Sequence, residues 1–303
     1  MEIHQLRYFC AVAETGSFTR AAEREQVAQP SLSQQVIKLE EELGVRLFDR
    51  LGRTVRLTDM GQIFLPRARV ILNELKAAKE EVADKQFSPS GPVSVGVIPT
   101  IAPYFLPARM NSFCRKYPDA SITVFEDITA RLMDRLRAGL IDLAIMALPV
   151  RGHDLECFPL RTERLFAILP KDHKLSRKPS VLLRELREEA FLLLRDDHCF
   201  RETAMEVCKR ARILPRVIFE SGQFSSILAM VGAGLGISIV PEMALERRPD
   251  SVSVPIADER ASRTIGVAVL KGHFLTGAQR SFLTHLQTQS QTQPRVTKAQ
   301  AAS

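Results

Sequence analysis

Nowhere in the chain do 18 or more apolar residues follow one another, so no membrane-spanning helix is expected. The opening residues, MEIHQLRYFC, lack a basic stretch followed by an apolar core. That argues against a signal peptide and for the cytoplasm. Cysteine is sparse: Cys10, Cys114, Cys157, Cys199 and Cys208 are scattered over 303 residues. An odd, dispersed set does not suit a secreted disulfide scaffold, and in a reducing compartment a disulfide serves as a signal rather than a staple. The six histidines (His4, His153, His173, His198, His273, His285) show no metal-ligand spacing, so neither a metal nor another cofactor is expected. A basic N-terminus is missing as well. The whole chain carries a charge of +7, but residues 1–58 hold eight Lys/Arg and eight Asp/Glu and balance to zero. Nucleic-acid binding has to be argued from a motif, not from charge.

What is present begins with amphipathic helical patterns. Ile3, Leu6, Phe9, Val12 and Ala13 recur at helical spacing. Gly16 stops that run, and Ser17 is placed to cap a second helix over Phe18 to Glu25. After a break at Gln26 to Gln29, Pro30 suits the first turn of a third helix, PSLSQQVIKLEEELG. Its apolar face is Leu32, Val36, Leu39 and Leu43. Two short β-prone runs around Gly52 then predict a hairpin. Thr58 can cap a long helix from Asp59 to about Gln86, whose imperfect heptads (Ile63, Val70, Ala77; Leu65, Leu72) predict a dimerising helix. Ser88-Pro89-Ser90-Gly91-Pro92 reads as a linker.

Beyond it the pattern alternates. Strands are expected at Val93–Ile98, Ser121–Phe125, Asp142–Ala147, Leu165–Pro170, Phe191–Leu194, Arg216–Glu220, Gly236–Val240 and Thr264–Leu270, with helices such as Phe105–Lys116 and Ala130–Ala138 between them. This predicts an α/β region with open, mostly parallel sheets in two small subdomains around a cleft. The Gly232-Ala233-Gly234-Leu235-Gly236 run lies between a helix and a strand, so it reads as a helix stop and not as a phosphate loop. From Gln287 the sequence is polar and of low complexity, and a disordered tail is expected.

A helix, a tight break and a second helix with small polar residues at its start can set side chains against base edges. Ser31, Ser33, Gln34 and Gln35 lie opposite the apolar stripe of the third helix. The segment FTRAAEREQVAQPSLSQQVIKLEEELGVRLFDR, followed by LTDMG, strongly resembles LysR-type regulators in a long ungapped match. The resemblance implies an α+β chain overall. Its expected parts are a helix-rich winged helix-turn-helix over 1–58, a linker and dimerisation helix over 59–88, and a regulatory domain over 91–286 like the periplasmic binding proteins, with 287–303 as the tail. It also implies double-stranded promoter DNA and RNA polymerase as partners, a tetramer built as a dimer of dimers, and no membrane. By the same likeness Gln29, Pro30, Ser31, Ser33 and Gln34 should face DNA, with Arg50 and Arg53 of the wing near phosphates or the minor groove.

HCFRETAMEVC resembles the redox loop of the peroxide-sensing OxyR branch, as do GPVSVGVIPTIAPYFLP and RTIGV. The likeness implies hydrogen peroxide as the signal, Cys199 as the reactive thiol, Cys208 as its resolving partner, and Thr100, Thr129, His198 and Arg263 as the peroxide pocket. Asp197 and Ala102 depart from that pattern at positions where glycine is common. The residues make a separate case. A reactive thiol is ionised, helped by cations and a helix N-terminus; Cys199 precedes the helical pattern Phe200, Ala204, Val207 and is flanked by His198 and Arg201. If the segment is one helix, nine residues put the two Cα atoms roughly 13.5 Å apart, against the roughly 4.4–6.8 Å between Cα atoms that a disulfide needs. The bond could then form only by breaking the helix. Cys10, Cys114 and Cys157 are expected as small core residues. Three other readings compete: a LysR-type regulator sensing a small organic ligand, a thiol peroxidase, and a solute-binding transport protein. The last two leave the helix-turn-helix without a purpose, so a regulator rather than an enzyme is expected.

Overall fold

The computed structural model describes residues 1–51, 54–84, 89–196, 198–258 and 260–291. The chain divides into two compact units. The first joins the N-terminal elements with residues 134–141 and 272–277, and the second holds most of the remainder.

In the first unit α1 (Ile3–Thr15), α2 (Phe18–Glu25) and α3 (Gln29–Leu43) follow the expected order. Gly16 and Gly44 end α1 and α3 in the left-handed conformation, and the Ser17 hydroxyl accepts from Arg20 N at the start of α2. Leu6, Phe9, Val12, Ala21, Ala22, Leu32, Val36 and Leu39 form one buried cluster with Leu47 and Phe48. Ile3, expected on the same face, is 49% exposed. β1 (Phe48–Leu51) and β2 (Thr54–Leu57) pair antiparallel, Phe48 opposite Leu57. Next comes α4 (Asp59–Asp84). Thr58 caps it, its Oγ accepting from Gly61 N and donating to Arg46 O. Gly61 is needed there, because a Cβ would lie 2.2 Å from the Leu47 carbonyl oxygen. Phe64, Leu65, Ala68 and Leu72 turn into the core, whereas Met60, Ile63 and Ile71 stay exposed along α4.

The second unit starts with β3 (Gly91–Val97), so Gly91 and Pro92 belong to a strand and not to the linker. Proline is tolerated because only β4 pairs with β3 at that end. The elements that follow are α5 (Ala102–Lys116), β4 (Ala120–Glu126), α6 (Thr129–Arg137), β5 (Leu143–Leu148) and β6 (Leu155–Pro170). After them come β7 (Ala190–Leu194), α7 (Cys199–Arg210), β8 (Arg216–Ser221), α8 (Phe224–Gly232), β9 (Ser238–Pro241), β10 (Ser251–Pro255), β11 (Ser262–Leu270) and α9 (Gly277–Gln291).

The expected mostly parallel sheets need correction. β3 pairs in parallel with β4 and β5, and β7 with β8, but β6 is antiparallel to β9, β10 and β11, and β11 to β5. The sixteen-residue β6 ties the two halves together. Its first part pairs with β11, its last part with β9 and β10. As expected, α8 stops at Gly232, and Gly234 takes a positive φ ahead of β9. The expected tail is shorter: α9 runs to Gln291, and residues 292–303 lie outside the described residues. Among the described residues, no helix is long and apolar enough to cross a membrane.

Candidate redox site and nucleic-acid interface

Cys199 is the first residue of α7, and Cys208 lies on the same unbroken helix. Phe200, Ala204 and Val207 turn into the core of the second unit, as the spacing predicted, and Cys208 turns in with them. Both thiols are free; Cys208 is buried and Cys199 half-buried.

The four expected pocket residues converge in two layers. Thr100 and His198 line a cleft of about 910 Å³, together with Tyr104, Asp127, Arg131, Arg195 and Glu246. Arg263 and the Thr129 hydroxyl lie in the protein interior. The guanidinium donates from Nη1 to Thr100 Oγ1 and from Nη2 to Thr100 O, both at 3.1 Å, and its carbon lies 5.1 Å from the Phe200 ring centroid. Its Nε donates to Glu163 Oε1 at 2.6 Å.

The expected thiolate is not the resting state that this environment favours. Burial pushes the Cys199 thiol up; the nearby Thr129 hydroxyl and the positive charge of Arg263 pull the other way and do not outweigh it. Among the described residues the buried Thr129 hydroxyl has no other hydrogen-bond partner, and the Cys199 sulfur is the group it acts on. Arg201, expected to help, is occupied elsewhere. It pairs with Asp196, lies 2.7 Å from Glu220 and donates to Leu194 O. Cys208 is pushed up to about 11 by burial. Of the remaining cysteines, Cys10 is in the core as expected, but Cys114 and Cys157 are exposed. Cys114 falls just off the inward face of α5 that Phe105, Arg109 and Phe113 define.

On the first unit, Gln29, Pro30, Ser31 and Gln34 are exposed along the start of α3, and Ser33 is half-buried. Gln35 is not available in the same way: its Oε1 is 3.1 Å from His4 Nε2 and accepts from Gln5 Nε2 at 3.2 Å. The zero net charge of residues 1–58 conceals local pairing. Arg7 meets Glu25, and both Arg24 and Arg69 meet Glu14. The Arg50 side chain and Arg53 lie outside the described residues.

Residues 3–62 match the bacterial regulatory helix-turn-helix protein family of LysR type, and residues 88–291 match the LysR substrate binding domain. The chain belongs to the LysR family. It is a DNA-binding transcriptional regulator, and LysR proteins of this kind are not enzymes. Among LysR relatives, the DNA-binding transcriptional dual regulator OxyR of Escherichia coli is 34% identical over 275 residues, spanning 90% of each chain. Full-length OxyR from Pseudomonas aeruginosa with an aspartate-for-cysteine substitution is 31% identical. It covers 96% of this chain and 95% of its own, with a TM-score of 0.81. A serine-for-cysteine OxyR from Corynebacterium glutamicum with hydrogen peroxide bound is 32% identical, covers 96% and 92%, and gives a TM-score of 0.65.

Sequence reasoning missed Glu163 in this LysR chain. A signal was there: Glu163 is in phase with Leu165, Ala167 and Leu169 along β6, and all three are fully buried. An acid on the buried parity of a strand demands a partner.

Proposed function

We propose that this LysR regulator responds to hydrogen peroxide through a reversible Cys199–Cys208 disulfide. The observation that carries the reading is the position of Cys199. It starts a continuous helix beside Thr129 and within the field of Arg263, with a second thiol nine residues along the same helix. The relatives whose names include OxyR or peroxide support it.

The chemistry balances. The Cys199 thiolate attacks one peroxide oxygen, the O–O bond breaks, and hydroxide leaves a sulfenic acid. Cys208 sulfur then attacks the sulfenic sulfur, forming S–S and releasing water. Since α7 holds the Cα atoms roughly 13.5 Å apart by its rise per residue, the second step requires α7 to break. The helix is the two-state element through which oxidation reaches the rest of the regulator.

In this proposal Thr100, Thr129, His198 and Arg263 form the peroxide pocket, and Gln29, Pro30, Ser31, Ser33, Gln34, Arg50 and Arg53 meet promoter DNA. Residues 1–58 are the DNA-binding domain, 59–88 the linker helix and 91–291, to the end of α9, the regulatory domain. The chain works in the cytoplasm as a tetramer that engages RNA polymerase, its exposed Met60, Ile63 and Ile71 serving self-association.

The test is mass spectrometry of reduced protein after a brief, near-stoichiometric hydrogen peroxide pulse. The expected product is an intramolecular Cys199–Cys208 disulfide, absent from Cys199→Ser. Reduced Cys199 and Cys208 beside oxidised Cys114 or Cys157 would refute the reading.

The cleft favours one second reading. Its volume of about 910 Å³ is far larger than peroxide requires and falls in the range of small-molecule pockets. A regulator sensing an organic ligand there would keep its response in Cys199→Ser.

A further inference from the structure

The carboxylate of Glu163 is a buried charge tied to the thiol site that the proposed mechanism does not use. Its side chain and that of Arg263 are 0% and 1% exposed. The two residues are directly paired across β6 and β11. Oε1 accepts from Arg263 Nε at 2.6 Å, and Oε2 accepts from Met243 N at 2.9 Å. Both oxygens are held, so the carboxylate cannot swing away. The guanidinium is fixed as completely: Nε on Glu163, Nη1 and Nη2 on the two oxygens of Thr100, its face over Phe200. Phe200 adjoins Cys199 in the chain.

We infer that Glu163 is a positioning residue of the thiol site, orienting the Arg263 guanidinium toward Thr100 and cancelling part of the charge it presents to Cys199. The inference rests on the reading of Cys199 as the reactive thiol. A lone buried guanidinium beside a thiol would hold it ionised and leave it open to any oxidant or alkylating agent. Paired with Glu163, Arg263 acts as a dipole, and its positive end is the one that pulls the Cys199 thiol down. Other titratable groups on the elements around the site are Glu202 on α7, His198 just before it, Tyr104 on α5 and Glu246; Glu202 also opposes the thiolate. Burial holding the thiol above its ordinary value fits a guanidinium that is partly neutralised.

The test is the pH dependence of Cys199 alkylation by iodoacetamide, read peptide by peptide by mass spectrometry on the full-length reduced protein. Glu163→Gln should displace the rate–pH curve toward lower pH by about one unit, the low end of the effect of a nearby charge. One unit gives about ten times more thiolate and lowers its nucleophilicity about threefold, so the rate at neutral pH should rise about threefold. Glu163→Asp should restore the wild-type curve. A curve that stays in place, or moves to higher pH, overturns the inference. So does a higher plateau at high pH without displacement, because that reports a loosened site and not a changed charge.

If the stranded guanidinium of Glu163→Gln costs the fold, the neutral pair Glu163→Gln with Arg263→Gln carries the test. Set beside Arg263→Gln alone, it must alkylate Cys199 at lower pH, and failure to do so overturns the inference. Alkylation needs no peroxide. A displaced curve in a protein that forms no disulfide with peroxide would retain the role of Glu163 and remove the peroxide reading alone.

Discussion

Val207→Ala tests whether oxidation breaks α7, without touching either thiol. Val207 is 5% exposed and packs with Phe200 and Ala204 into the core of the second unit. Its burial depends on the helical phase that also separates Cys199 from Cys208. If the disulfide unwinds α7, Val207 leaves the core in the oxidised form, and the substitution is felt in the reduced form alone. Removing two methyl groups at about 0.8 kcal/mol each destabilises that form by about 1.6 kcal/mol. At 30 mV per 1.4 kcal/mol for two electrons, the Cys199–Cys208 potential should become more negative by about 35 mV. The sign follows because a less stable dithiol is harder to reach by reduction. The assay is equilibration with thiol–disulfide buffers, quenching, and mass spectrometry of the disulfide fraction. Val254→Ala is the control: it lies in the same cluster but on β10, so it should weaken both forms alike and leave the potential in place. An unmoved potential in Val207→Ala, with the reduced protein destabilised as calculated, would mean that Val207 stays packed after oxidation, and the helix-breaking argument would fall.

Two further predictions concern the first unit. Burial raises the Glu14 carboxyl, but hydrogen bonds and charge from Arg24 and Arg69 override it and hold the group below its ordinary value of 4.5. Its contribution is therefore present above pH 4.5 and lost as the pH falls through the lower folded-state value. Hydrogen exchange in α1 should be faster in Glu14→Gln than in wild type at pH 7, with the difference closing in acid; a difference that is constant with pH would contradict the ion-pair origin. Gln34→Ala should weaken specific operator binding by about 1–3 kcal/mol, the worth of one bidentate base contact, while sparing non-specific binding and stability. Gln35→Ala should instead lower stability by releasing α1 from α3, and operator titrations with thermal melts of both variants separate the two residues.

The helices of the first unit were legible because their apolar positions repeat every three to four residues and their stops are glycines. Ile3 shows where that reasoning fails, since periodicity marks a face but not how far along the helix the core extends. The first part of β6 was missed for a different reason. Glu156, Cys157 and Pro159 interrupt the apolar alternation, and pairing with β11 overrides that local pattern. The site was half legible. Cys199, Cys208 and Arg263 came from the family likeness, and the α7 pattern came from spacing. The ion pair joining Glu163 to Arg263 spans 100 positions, and only the antiparallel register of β6 and β11 brings the two together. Arg201 misled because proximity in the chain was taken for proximity of charge, whereas Asp196 and Glu220 engage it.

That correction changes how the proposed switch is to be understood. A thiol held ionised by flanking cations would react with many electrophiles, and its selectivity would need a separate explanation. Here the sulfur is desolvated, the guanidinium that acts on it is tied to a buried carboxylate, and Cys208, the proposed resolving thiol, lies nine residues along α7 in the core. Each feature resists oxidation in the resting protein. Reaction then depends on an oxidant small enough to pass Thr100 and His198 from the cleft and to use the guanidinium's remaining N–H groups as its oxygen leaves. The disulfide persists only if it offsets the apolar burial lost with α7. The same helix packing thus bears on how readily the switch closes and how stable the closed state is, and Val207→Ala and Glu163→Gln separate these two quantities.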